Sequence, residues 1–333
     1  MSDCLLIFVL ALFWQAQAIT LSVPSPSKDV RSLSSTIPRP VSATQLSSSF
    51  RPLNVTPASE LTALNPPPGF VINLVFNSQS PLSPIGVYSV ALETIYRLSI
   101  HEWSDTIRRS VFFALPDYAE KVVFLPNSRA SSPSKRLLNG YAILALYSGV
   151  CAMTPPTRNL FFELKMVISK DRVPVGRCNI QPSVPELHLP SNRSSEPILA
   201  RASTSLHSIL SADSGSLVDP EDSRFRITYT FRNTRINSRH IFLAAIDGIA
   251  AAARMSAASR CERLVGTTPN EPRNPAVVTV SALHRSRGFK LTWQYASRTL
   301  LLITRLMQAE GRFEAMAFSL EHDGASFGEG FVT

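Results

Sequence analysis

The sequence predicts an α+β fold made of two tandem, diverged repeats, each an antiparallel sheet with its helices on one face. Three observations predict it. Short runs such as Phe70 to Phe76 and Phe225 to Phe231 are apolar with strand-like alternation, and each is followed by a segment whose apolar residues recur at a helical period. The helical positions Tyr88, Leu92, Ile95, Tyr96 and Ser99 align with Phe242, Ile246, Ile249, Ala250 and Ala253 at an offset of 154, which also aligns Glu93 with Asp247. Nearer the end of each unit, Phe161, Leu164, Met166, Ile168, Asp171 and Gly176 align with Phe313, Met316, Phe318, Leu320, Asp323 and Gly328 at an offset of 152. Identical order with small changes of offset is what a duplication followed by loop insertions leaves behind.

A chain of 333 residues with 44% hydrophobic side chains has material for about two cores. Residues 1–18 read as a secretory leader. The apolar run from Leu5 to Trp14 is too short to span a bilayer, and Ala16-Gln17-Ala18 closes it, so cleavage is expected after Ala18. Asp3 departs from the pattern, since it stands where a positive charge is usual. No later segment is apolar for long enough to form a transmembrane helix, so the mature chain is expected to be extracellular and without a membrane span.

Residues 19–69 are rich in Ser, Pro and Thr, ending in Pro66-Pro67-Pro68, and are expected to form a disordered arm because repeated prolines forbid regular structure. Asn54 opens an N-glycosylation sequon with Val55 and Thr56. The first folded unit, 70–180, begins with the Phe70 strand, which Pro81 and Pro84 end. A helix is expected from about Ile85 to Ile100, with Glu93 and Arg97 as an i, i+4 pair. Lys121 to Leu125 reads as a strand, Leu137-Leu138 as a short one, Tyr141 to Ala152 as a helix and Asn159 to Ser169 as a long strand, returning through Gly176 to Ile180. Residues 181–223 are an acidic Pro/Ser-rich linker with a second sequon at Asn192.

The second unit, 224–333, repeats the order. After the Phe225 strand come a helix from Ser238 to about Ala258, a strand from Ala276 to Leu283, a turn and strand from Phe289 to Trp293, and a helix from about Tyr295 to Ala309. Phe313 to Leu320 and a return segment from Asp323 to Phe331 close it. Each unit therefore reads β-α-β-β-α-β with an added final strand, the order of the ferredoxin-like arrangement, and the two are expected to pair about a pseudo-twofold axis. Asp323-Gly324 and its counterpart at Asp171 supply hairpin-turn chemistry.

The formal charge is +9 over the whole chain, from 33 Lys and Arg against 24 Asp and Glu. By segment the balance is about +5 over 69–180, −4 over 181–223 and +7 over 224–333, so the folded units are basic and the connector is acidic. A basic balance favours an anionic surface or polymer as partner, approached through the Arg-rich second repeat. Once Cys4 leaves with the leader, Cys151, Cys178 and Cys261 remain. An odd count suits an oxidising compartment poorly. Cys151 and Cys178 are the expected bridge, closing a loop of about 26 residues worth roughly 3 kcal/mol, with Cys261 left as a buried thiol or an intermolecular link.

No motif establishes a chemistry. There is no Cys/His cluster at metal-ligand spacing, no GxSxG elbow, no P-loop and no HExxH, so no metal and no cofactor is expected. Arg287-Gly288-Phe289-Lys290-Leu291-Thr292-Trp293 partly matches the aromatic signature of RNA-recognition modules. Lys290 and Leu291 break that match, and a leader argues against an intracellular nucleic acid. Glu93 and Asp247 could face each other as a carboxylate pair, as in glycoside hydrolases. Lys135-Arg136 reads as loop charge or a processing site. The expectation is a secreted, glycosylated, non-enzymatic binding protein. The alternatives are a secreted hydrolase with a site where the repeats meet, or a binder of anionic polymers.

Overall fold

The computed structural model describes residues 64–127, 136–154, 160–183, 213–269, 271, 274–283 and 289–333. The fold is α+β, with two antiparallel sheets and four helices among the described residues. The first part of the chain runs β1 (Phe70–Pro81), α1 (Pro84–Ser99), β2 (Val111–Ala114), β3 (Glu120–Pro126), α2 (Asn139–Met153), β4 (Phe162–Lys170) and β5 (Val173–Pro182). The second runs β6 (Ser214–Val218), β7 (Phe225–Arg235), α3 (Ser238–Ala252), β8 (Arg263–Thr267), β9 (Val277–Ala282), α4 (Trp293–Ala309), β10 (Glu314–His322) and β11 (Ala325–Val332).

The strand orders are β1-β4-β5-β3-β2 and β6-β7-β10-β11-β9-β8. They differ from the ferredoxin-like order, in which the first strand lies centrally beside the third. Here β1 stands at an edge and the final hairpin takes the middle of the sheet. The reason is the tightness of the turns. Asp171 and Arg172 join β4 to β5 at φ 51° and 67°, and Asp323 and Gly324 join β10 to β11 at 52° and 75°. Two consecutive left-handed residues make the hairpin turn whose twist matches that of its strands, so the last strand must lie beside the one before it. Its free edge then takes β3 or β9, and the first strand is left outside.

Each sheet buries one face. Along β7, Phe225, Ile227, Tyr229 and Phe231 are buried while Arg226, Thr228, Thr230 and Arg232 are exposed, the period of two expected for a half-covered sheet. The helices are buried nearly all round because they pack on one another as well as on the sheets. α1 meets α2, α3 and α4, so one continuous core runs through both parts of the chain. Helix starts follow capping chemistry: Ser83 Oγ accepts from Gly86 N, Asn237 from Arg239 N, and Thr292 from Tyr295 N.

The small side chains of α3 let it lie directly on β8. A Cβ at Gly266 would stand 2.0 Å from the Ala244 carbonyl oxygen and 2.9 Å from Gly248 N. Both obstacles are backbone, so nothing flexible can yield. Gly266→Ala is expected to lower stability by about 3 kcal/mol through overpacking. Urea unfolding checks this, and an unchanged midpoint would mean that α3 can lift from the strand.

Three strands escape the sequence reading. β2 and β8 are too short for alternation to show, and β6 lies in what reads as linker. The short strand expected at Leu137-Leu138 is a single bridge, Thr106 to Leu138. Phe289 to Trp293 is likewise no strand: Arg260 bridges Thr292, which caps α4, and Trp293 already belongs to the helix. Ala18, Asn54, Asn192 and Lys135 lie outside the described residues.

The expected Cys151–Cys178 disulfide is absent, and both cysteines are free, as is Cys261. Helix geometry explains it. Gly149 faces the first sheet, since a Cβ there would meet the Met166 sulfur, and Met166 is the register partner of Cys178. Cys151, two residues on, is turned about 200° around α2 and faces the other way.

Candidate functional site

The convergent ionisable groups lie where the helices of the two parts meet, and they form two separate networks. In the first, α3 presents Asp247 to α2 and β8. Its Oδ1 accepts from Tyr147 Oη at 3.0 Å, and its Oδ2 accepts from Thr267 N at 3.1 Å, with a longer 3.5 Å contact to Thr267 Oγ1. The residue is 2% exposed. Burial pushes its carboxyl up to about 6, although the hydrogen bonds from Thr267 and Tyr147 favour the anion. No Lys or Arg among the described residues lies within ion-pair distance of it.

Cys151 lies one turn along α2 from Tyr147. Burial, aided by the charge of Asp247, pushes its thiol up to about 12. Burial, with smaller contributions from Cys151 and Asp247, also raises the Tyr147 hydroxyl above its ordinary range. Nearby, Tyr88 of α1 stacks on Phe242 of α3 at 5.3 Å and 14°, and Arg239 donates to the carbonyl of Thr154. Arg239 Nε is buried without a hydrogen-bond partner among the described residues. A nucleophilic cysteine needs a thiolate, and this environment works against one.

Glu93 belongs to the second network and is held by cations on both sides. Arg97 Nε reaches Oε1 at 2.8 Å, and Arg305 of α4 reaches Oε2 at 2.6 Å. Arg97 continues to Glu221 at 2.7 Å. Arg298 lies 3.0 Å from Glu221 and grips Asp219 through two bonds, 2.9 and 2.5 Å long. Arg298 also lies over the Tyr96 ring, 5.3 Å from its centroid. Six charges thus alternate from α4 through α1 to the β6–β7 loop and back to α4. The sequence shows the Glu93–Arg97 pair by its spacing, but no local signal joins it to residues more than 120 positions away. Glu93 and Asp247 are each satisfied within a different network, with no hydrogen bond or ion pair in common.

A third cluster closes the end of the second sheet. His322 is 5% exposed and stacks on Phe289 at 3.9 Å and 5°. Its Nε2 lies 3.2 Å from Asp222 and its Nδ1 3.3 Å from Asp323. Desolvation opposes the shift, yet hydrogen bonds from Tyr295, Arg224 and His322 together outweigh it and hold Asp222 down at about 2. With a carboxylate at each ring nitrogen, the imidazole has no free nitrogen for a substrate. Phe289 packs against His322, Tyr295 and Phe327, so the aromatic of the RNA-like motif is absorbed in packing and does not lie on an outward strand.

Among the described residues no group of three or more His, Cys, Asp or Glu could hold a metal ion, and no helix is long and apolar enough to cross a membrane. No protein-family model, curated protein or solved structure matches the chain.

Proposed function

We propose that the chain is a secreted, glycosylated, non-enzymatic binding protein built from an internal duplication. The observation that carries the reading is the state of the interior. Glu93 is neutralised by two arginines, Asp247 is spent on Tyr147 and Thr267, and the Cys151 thiol is held protonated. A site built for hydrolysis would leave at least one acid, base or nucleophile open to a substrate. These groups instead join the two parts of the chain.

The duplication is supported by correspondences that function alone would not require. One step of 154 residues separates the caps Ser83 and Asn237, the caps Leu138 and Thr292, and both ends of the bridges Thr106–Leu138 and Arg260–Thr292. A step of 152 separates the left-handed turns at Asp171 and Asp323. Leaving out β6, the strand orders agree element by element.

The test is to recover the protein from a secreting eukaryotic host and assay it on glycoside, ester and peptide substrates. A chain beginning at Ile19, glycosylated at Asn54 or Asn192 and without turnover, is expected. Turnover that Asp247→Asn abolishes while the variant stays folded would overturn the reading in favour of a hydrolase.

A further inference from the structure

Five of the fourteen arginines that make the second part basic are spent on ion pairs. Arg224, Arg260, Arg298, Arg305 and Arg312 all pair with carboxylates. On the outward face of the second sheet Arg226 stands opposite Glu321, and Glu329 lies two strands in from the edge strand that carries Arg263. Cations and acids share that face.

The first sheet is different. Its register sets Lys165 opposite Asn179, Asn179 opposite Val123, and Val123 opposite Phe112 in one row, with Arg177 between Val167 and Leu125 in the next and Lys121 opposite Gln181. The alternate residues of these strands, such as Met166, Ile180 and Val122, are buried on the helix side, so this set points outward. Lys165 and Arg177 are exposed and Lys121 is half-buried. The one carboxylate on these rows is Glu163, 3.4 Å from Lys165 and bonded by Asn77. Lys121 and Arg177 have no carboxylate partner among the described residues. Phe112 is 43% exposed at the edge.

We infer that this face binds an anionic polysaccharide, an inference that rests on the binding-protein reading and names its partner. Lys121, Arg177 and Lys165, the last shared with Glu163, stand on three neighbouring strands about 4.8 Å apart and form one basic patch able to meet sulfates or carboxylates on successive sugars. The side-chain amides of Asn179 and Gln181 carry both donors and acceptors, as sugar hydroxyls require. Phe112 offers an apolar platform to the C–H face of a ring. A single-stranded nucleic acid would need aromatics in succession for its bases, and this face exposes one.

The test uses the full mature protein and two variants that remove equal charge. One is Lys121→Ala, Lys165→Ala and Arg177→Ala; the other is Arg226→Ala, Arg232→Ala and Arg263→Ala. Wild type is expected to stay on immobilised heparin well above the physiological ionic strength of about 0.15 M. The first-sheet variant should elute at or below that salt, while the second-sheet variant moves little. Phe112→Ala, which keeps every charge, should weaken binding to a heparin oligosaccharide several-fold. Wild-type elution below about 0.15 M, an equal shift from both triple variants, or tighter binding to single-stranded DNA than to heparin overturns the inference. Each of these outcomes leaves the binding-protein reading standing, because that reading fails on turnover, which none of them measures.

Discussion

Arg298→Ala is expected to cost the fold about 3–5 kcal/mol, the loss typical when one partner of a buried ion pair is removed. Arg298 and Asp219 each leave only 4% of the side chain exposed, and Asp219 takes two bonds from this one guanidinium and a third, 2.9 Å long, from the Glu221 backbone N–H. Alanine would leave the carboxylate with the Glu221 N–H but no cation, and would open a hole beneath Tyr96. It would also leave Glu221 with Arg97 alone. That ion pair to Glu221, 3.0 Å long, has no well-aligned N–H, so the penalty is concentrated at Asp219. An apolar pair, Arg298→Met with Asp219→Leu, should recover most of the loss, because a matched hydrophobic replacement carries no desolvation penalty. Urea unfolding at pH 7 reads both. A loss below about 1 kcal/mol in Arg298→Ala would mean that water reaches Asp219 and that the network is a surface one.

A pH dependence centred on Asp247 is the second large effect. Its folded-state value of about 6 lies above the ordinary 3.8, because burial penalises the anion. Below about pH 4 the carboxyl is protonated in both states and contributes no difference. Between about 4 and 6 the unfolded chain releases this proton while the folded chain keeps it, so stability falls as pH rises and then levels off above 6. The full difference is about 3 kcal/mol as an upper figure. The groups facing Asp247 are Tyr147 and Cys151 from α2 and Thr267 from β8, with Arg239 earlier on α3; none of them is a cation paired to it. Asp222, held at about 2, acts in the opposite sense, and only as pH falls below about 4, so the two windows separate. Asp247→Asn keeps an acceptor for Thr267 N–H and offers an N–H to Tyr147 Oη. The variant should therefore be the more stable protein at pH 7.5, with the gap closing toward pH 4. Equal slopes for wild type and variant between pH 4 and 6 would refute the assignment.

The two networks set different limits on what could be read in advance. Glu93 and Arg97 are visible as partners because four residues on a helix return to one face. Asp247 is visible only as the counterpart of Glu93, and that correspondence misleads. One acid is the centre of a string of arginines and the other is a carboxyl without a cation. Arg305, Glu221, Arg298 and Asp219 carry no spacing signal, since their partners come from other elements of the chain.

What the sequence determined by itself was local. Alternation in Phe225 to Phe231, the helical faces of α1 and α3 and the turn at Asp323-Gly324 follow from side-chain period and backbone preference, which neighbours in sequence decide. Tertiary structure alone decided the rest. The central place of the β4–β5 and β10–β11 hairpins, the recruitment of β6 from the linker and the separation of Cys151 from Cys178 depend on which edges and faces meet across long separations. So does the placing of Lys121, Lys165 and Arg177 together on the outward side of the first sheet. Pairing of that kind is settled by the whole set of competing contacts, and no window of the sequence contains it.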